Sequence, residues 1–325
     1  MNVDTTLGFG VSVPDIPLPG DELPLVLLTL TGPGHHTFAT SSLEELGAAF
    51  AAQERRARAG EIAGLAITGK GRVFSTGADL GALGAITSYS EAYDFARLGQ
   101  TVFNQLRDFS VPTFALLNGS ALGGGLELAL AADFRLSLGG AGVIGLPEVG
   151  LGIIPGWGAC QDLPQIVGLG AAIDLAITRP LSGRPYLTMK QAHELGLIDE
   201  RIPIESGHSW TASLTERIDY SRNGAHNRGN RYALRVGSLN GKQGDDAASA
   251  GANSEIAEYR ERLLRSGFSD DDAAAVALRL LEIGKSIPRA DADLLAAEAL
   301  AQLIASGKAM TPTVSGEGQS LSNRY

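Results

Sequence analysis

With 325 residues, 44% of them hydrophobic, the chain can bury a sizeable core as one large domain or one and a half. A net charge of −10 argues against non-specific nucleic-acid binding, but leaves open an anionic small ligand held by a local basic cluster or a helix N-terminus. One cysteine, Cys160, excludes an intrachain disulfide framework and suits a reducing cytoplasm, and no stretch reaches the roughly 18 apolar residues of a membrane span. Met1-Asn-Val-Asp-Thr-Thr has no basic stretch followed by an apolar run, so it does not read as a signal peptide.

Residues 1–22 hold several Pro and Gly without a period and read as a flexible arm. Residues 25–31 are a continuous apolar run of strand length, broken by Gly32-Pro-Gly. Ser41 and Ser42 before Leu43-Glu-Glu-Leu predict a helix start with acids in its first turn, running to about Arg58. A second buried strand is expected at 63–68, a Gly-rich loop from Gly69 to Leu80, and a helix over 89–108. Residues 113–117 read as a third strand, the turn from Asn118 as the lead into a helix at Leu126, and 134–137 as a fourth strand. Such alternation implies an α/β fold with largely parallel strands. Residues 222–254, poor in large apolar groups, read as a flexible linker, followed by helical patterns at 256–264, 273–281 and 290–304 and a polar tail from Thr311.

Three segments can carry chemistry. Phe74-Ser-Thr-Gly-Ala-Asp-Leu and Gly123-Gly-Gly-Leu-Glu are Gly-rich turns that can expose backbone N–H groups, the second at a helix start; two converging N–H groups would form an oxyanion hole. Taken alone, each reads first as an ordinary strand–helix turn. The spacing is not Gly-x-Gly-x-x-Gly, so a dinucleotide site explains it poorly. Glu148 sits among Leu146, Pro147, Val149, Ile153 and Ile154, and Glu127 is followed by Leu-Ala-Leu-Ala-Ala. Two acids in apolar contexts beside Gly-rich turns are an acid–base candidate, whereas the plain readings are a helix-start acid for Glu127 and a surface turn for Glu148. His35 and His36 read as a chance pair, His193 as a helix-surface residue and Cys160 as a packed thiol; no His/Cys metal spacing is present. Lys70 and Arg72 flank the first Gly loop, where they can meet phosphates or simply be solvated.

Taken in order, these motifs resemble the crotonase (enoyl-CoA hydratase/isomerase) superfamily over roughly residues 24–202. The resemblance rests on the strand ending Ile67-Thr-Gly, Phe74-Ser-Thr-Gly-Ala-Asp-Leu, and Val111-Pro-Thr-Phe-Ala-Leu-Leu-Asn-Gly. It continues through Ala121-Leu-Gly-Gly-Gly-Leu-Glu-Leu-Ala, Leu146-Pro-Glu-Val-Gly-Leu-Gly-Ile-Ile-Pro-Gly and Gln191-Ala-His-Glu-Leu-Gly-Leu-Ile-Asp. The Trp157 region and residues 180–197 look closest to the hydratase part of bacterial multifunctional fatty-acid oxidation proteins. The resemblance implies an α/β spiral of ββα units with a helical C-terminal region, divided as an arm at 1–22, a catalytic core at 23–204 and helices at 205–325. It also implies a homotrimer or homohexamer; the cytoplasm, with neither membrane nor nucleic acid bound, is the expectation from the start of the sequence, the lack of an apolar span and the net charge.

The same resemblance assigns roles. The N–H groups of Ala78 and Gly124 would hold the thioester oxygen of an acyl-CoA, Glu127 and Glu148 would be the two acids of a 2-enoyl-CoA hydratase, and the Gly156 N–H would position water. Lys70 and Arg72 would be CoA contacts, and no metal or redox cofactor would be required, since CoA is part of the substrate. The chain departs from the family pattern after its first strand, where Gly32-Pro-Gly-His-His-Thr-Phe-Ala-Thr replaces an Asn-Ala-Leu segment. It also lacks a Phe-Leu-x-Lys-Arg stretch after the last helix, and it carries the unusual segment 222–254. The alternatives left by one fold with many reactions are a Δ3-Δ2-enoyl-CoA isomerase, a carbon–carbon hydrolase and a catalytically silent assembly subunit.

Overall fold

The structure, a computed structural model, describes residues 11–32, 35–203, 210–222, 248–284, 286–307 and 309. The strands that read as continuous apolar runs form the centre of one sheet. β3 (Leu25–Leu30), β4 (Gly64–Gly69), β6 (Thr113–Leu117), β8 (Phe134–Leu138) and β11 (Glu200–Ile202) pair in parallel in that order. Their residues alternate between two apolar layers. Ala115 and Leu117 face the main core, while Phe114 and Leu116 face a smaller one closed by Leu214 and Ile218 of α9 (Trp210–Tyr220). Both faces are covered, which is why these strands show no polar alternation in the sequence.

A second sheet lies outside the apolar runs. It holds β5 (Val73–Ser75), β7 (Ser120–Leu122), β9 (Val143–Gly145) and β10 (Tyr186–Thr188) in the order β10-β9-β7-β5. Each central strand of the first sheet is followed by one of these: β4 by β5, β6 by β7, β8 by β9. With the helices after them this is the expected spiral of ββα units. The order is α1 (Thr40–Arg58) after β3, α2 (Leu80–Ala85) and α3 (Tyr89–Arg107) after β5, and α4 (Gly124–Ala131) after β7.

Several sequence expectations need correction. Helix α1 begins at Thr40, not after Ser42, so Glu44 and Glu45 fall outside its first turn; the Ser42 hydroxyl instead reaches back and accepts from the Ala39 N–H at 2.6 Å. The stretch 1–22 is not wholly a free arm. β1 (Val11–Ser12) and β2 (Asp15–Ile16) pair antiparallel with β3, and Leu18 is buried, because β3 would otherwise present an unpaired edge. Residues 1–10 lie outside those described. The linker expected at 222–254 is cut short by α10 (Ala248–Arg265), whose Ala-rich start favours a helix; 223–247 are not described. Two helices follow, α11 (Ala273–Ile283) and α12 (Arg289–Ala305), and α12 packs along α3. No described helix is long and apolar enough to cross a membrane.

Candidate active site

The site forms where the two Gly-rich turns touch. The loop after β5 is pinned by the Ser75 hydroxyl, which donates to the His36 carbonyl at 2.7 Å, and by a bridge in which the Phe38 N–H donates to the Gly77 carbonyl at 2.8 Å. The Asp79 N–H donates to the Phe38 carbonyl at 2.9 Å, so both bonds of this parallel bridge flank Ala78 and its own N–H turns the other way. Gly77 has φ +88°, and a Cβ there would stand 2.5 Å from the Gly124 nitrogen; only glycine lets these loops meet. Gly124 opens α4, so its N–H has no acceptor within the helix. Gly123, at φ +52°, admits the Glu148 carboxylate: a Cβ there would lie 2.8 Å from Glu148 Oε1.

All of α4 is buried, which carries Glu127 on its first turn into the interior. Its Oε1 accepts from the Trp157 N–H at 2.8 Å and the Ala159 N–H at 3.0 Å, leaving Oε2 without a protein donor among the described residues. Glu148 lies in the single 3₁₀ turn Glu148–Leu151, and its buried Oε2 has no hydrogen-bond partner among the described residues. Desolvation raises both carboxyls. The two N–H donors and the Arg107 charge restrain Glu127 to about 7. Glu148 is held well above the usual carboxylate range by burial and by the Glu127 charge, with only its own N–H opposing. Two neighbouring acids thus differ in their environments, one kept ionisable and one kept neutral.

Ala78, Gly123, Gly124, Glu127, Glu148 and Gly156 line one cavity of about 60 Å³. Five site residues expected from the sequence (Ala78, Gly124, Glu127, Glu148 and Gly156) therefore meet in it. Lys70 and Arg72 do not; both are exposed on the β4–β5 turn. That turn is fixed by Asn118, whose Nδ2 donates to the Gly69 and Gly71 carbonyls at 2.8 and 2.9 Å while Oδ1 accepts from the Gly69 N–H. His36 is buried, its ring nitrogens against the Gly32 and Lys70 carbonyls at 3.0 and 2.9 Å, so it fastens the loop. His193 is half-buried on its helix, and Cys160 is packed inside. Among the described residues no group of three or more His, Cys, Asp or Glu could hold a metal ion.

The sequence reading missed what holds Trp157. Its ring is wedged against Gly99 and Gly124, with Phe95 and Phe103 edge-on at 5.4 and 5.3 Å. Arg107, buried on α3, donates to the Trp157 carbonyl at 3.0 Å and to Asp162 Oδ2 at 2.8 Å, and Asp162 also accepts from Arg289 of α12. One signal was available: Arg107 follows Phe103 by one turn, placing a charge on the apolar stripe of α3.

The enoyl-CoA hydratase/isomerase family model matches residues 22–227. The chain belongs to this family.

Among its relatives are the fatty acid oxidation complex subunits alpha of Vibrio cholerae, 39% identical over 203 residues, and of Shewanella halifaxensis, 41% identical over 138. The matches cover 61% and 42% of this chain but only 27% and 19% of those proteins, so the chain spans about a quarter of their length or less. Among solved members of similar structure is Pseudomonas aeruginosa DspI, at 25% identity and a TM-score of 0.56, covering 81% of this chain and 98% of that one. Another is an enoyl-CoA hydratase from Thermoplasma volcanium, at 27% identity and 0.55, covering 80% and 94%. As a member of the enoyl-CoA hydratase/isomerase family, the chain is an enzyme of the crotonase superfamily with its ββα spiral.

Proposed function

We propose that the protein is a 2-enoyl-CoA hydratase. The observation that carries this reading is the pair of buried glutamates on one cavity, Glu127 held by two N–H donors and Glu148 by no other residue's among those described. The Ala78 and Gly124 N–H groups hold the thioester oxygen and draw electron density from the double bond, making the β-carbon open to attack. An oxyanion donor is typically worth about 2.7–4 kcal/mol. Glu127, which titrates at about 7, acts in its ionised form: it takes one proton from a water positioned by the Gly156 N–H, and the oxygen bonds the β-carbon. Glu148, kept neutral, gives its proton to the α-carbon. Water is added across the double bond, and the pair resets when the proton on Glu127 passes back to Glu148 through the water of the site.

Two acids on one cavity in different hydrogen-bonding environments favour hydration over a Δ3-Δ2 isomerisation, for which a single shuttling carboxylate suffices. Lys70 and Arg72 stand exposed on the β4–β5 turn, just before β5 leads into the Ala78 loop. There we assign them to the CoA phosphates. The test is incubation with crotonyl-CoA and, separately, 3-butenoyl-CoA. Hydration predicts loss of the conjugated thioester absorbance and a 3-hydroxyacyl product from the first. Inert crotonyl-CoA together with conversion of the second to a conjugated thioester would replace this reading with the isomerase.

A further inference from the structure

The cavity has an open rim and a closed floor. Leu80, 45% exposed, lines it toward solvent, while Phe95, Trp157 and Leu300 line it from buried positions. Leu300 comes from α12, far along the chain from both glutamates. It lies directly on the loop below them, since a Cβ on Gly156 would be 2.6 Å from Leu300 Cδ2.

That floor is fastened by buried polar contacts. The Gln100 amide donates both to the Gly156 carbonyl at 2.8 Å and to the Asp293 carbonyl at 2.7 Å, tying the loop to α12 through α3. The Asn104 amide donates to Asp293 Oδ2 at 2.8 Å, and Arg289 of the same helix pairs with Asp162. A helix so tied cannot slide aside cheaply, because each buried group would lose its partner. The cavity of about 60 Å³ holds roughly four to six water-sized groups. That is enough for the acyl part of a four-carbon enoyl thioester and too little for one of ten carbons.

We infer that Leu300 is a chain-length stop that restricts the enzyme to short 2-enoyl-CoA substrates. This rests on the site being an enoyl-CoA site, as proposed above. With the thioester oxygen on Ala78 and Gly124 and the double bond between the glutamates, the acyl tail points at Phe95, Trp157 and Leu300. Trp157 is locked by Phe38, Phe95 and Phe103, and Phe95 is held edge-on to Trp157 in turn, which leaves Leu300 as the group whose size sets the depth.

The experiment compares wild type, Leu300→Ala, Leu300→Phe and, as control, Leu303→Ala, a buried residue of α12 away from the cavity. The ratio of kcat/KM for ten-carbon over four-carbon 2-enoyl-CoA is measured, together with calorimetric binding of butyryl-CoA and decanoyl-CoA. The expected wild-type ratio is below about 1/100; Leu300→Ala raises it at least about tenfold, Leu300→Phe lowers the six- to four-carbon ratio, and Leu303→Ala leaves the ratio unmoved. A folding defect lowers all substrates together and cannot mimic these opposite shifts. Equal wild-type binding of butyryl- and decanoyl-CoA, or equal ratio changes in Leu300→Ala and Leu303→Ala, would overturn the proposal. A binding preference for butyryl-CoA that Leu300→Ala erases, without turnover of either substrate, would support the stop and overturn the hydratase reading alone. Failure of both thioesters to bind would overturn both.

Discussion

Replacing Arg107 with methionine removes a buried cation that serves fold and site together. The guanidinium donates to Asn104 Oδ1 at 3.0 Å, to the Trp157 carbonyl at 3.0 Å and to Asp162 Oδ2 at 2.8 Å. Removing one partner of a buried pair typically costs 3–5 kcal/mol. Asp162 keeps Arg289, so the lower end applies, about 3 kcal/mol. The second effect is electrostatic. The Arg107 charge helps hold Glu127 down to about 7, so without it the carboxyl titrates higher. Urea denaturation reads the first effect as a lower midpoint at unchanged slope, and the pH profile of kcat/KM reads the second as an ascending limb moved to higher pH. Arg107→Lys keeps the charge but not the fork, so its limb stays near wild type while its midpoint is intermediate. A midpoint change worth less than about 1 kcal/mol, or a limb moving to lower pH, would refute the reasoning.

Three further outcomes follow from the same contacts. Glu127 titrates at about 7 in the fold against an ordinary 4.5, so between those values the native state holds more protons than the unfolded one and stability falls as pH rises. The fall attributable to this group is about 3 kcal/mol, and Glu127→Gln should remove it from the pH dependence of urea denaturation; an unchanged slope counts against the shift. Gly77→Ala forces a side chain to φ +88° against the Gly124 nitrogen, and should lower kcat on the order of 10²-fold, with near-wild-type turnover the contrary result. Cys160, buried with its thiol pushed well up by burial and by Glu127, Glu148 and Asp162, should react with iodoacetamide only on unfolding; labelling of the native protein at the unfolded rate would contradict its placement.

What was legible in the sequence followed from burial pattern. Strand 113–117 matches β6 because both its faces are covered, and of the pattern read for α3 at Tyr93, Ala96, Leu98, Val102 and Leu106, the residues Ala96, Val102 and Leu106 are buried and Tyr93 and Leu98 half-buried. Three-residue strands such as Val73–Ser75 and Ser120–Leu122 are too short for a period, so the second sheet disappeared into Gly-rich loops. The site was half legible. Acids in apolar contexts marked Glu127 and Glu148, and glycine runs marked the turns that present Ala78 and Gly124. Leu300 was not legible, because no local pattern says that a leucine of the last described helix covers a loop more than a hundred residues earlier. Nor was the Ser42 cap, which depends on Ala39 adopting an extended backbone before α1.

The central claim is that two glutamates divide one reaction between them, Glu127 as base toward water and Glu148 as acid toward the α-carbon. Single-turnover hydration of crotonyl-CoA near neutral pH, in wild type, Glu127→Gln and Glu148→Gln, tests it most directly when thioester binding is measured alongside. The account predicts that each variant still binds crotonyl-CoA but hydrates it about 10²–10⁴-fold more slowly. Hydration within a few-fold of wild type in either variant, with binding retained, would contradict the division of labour.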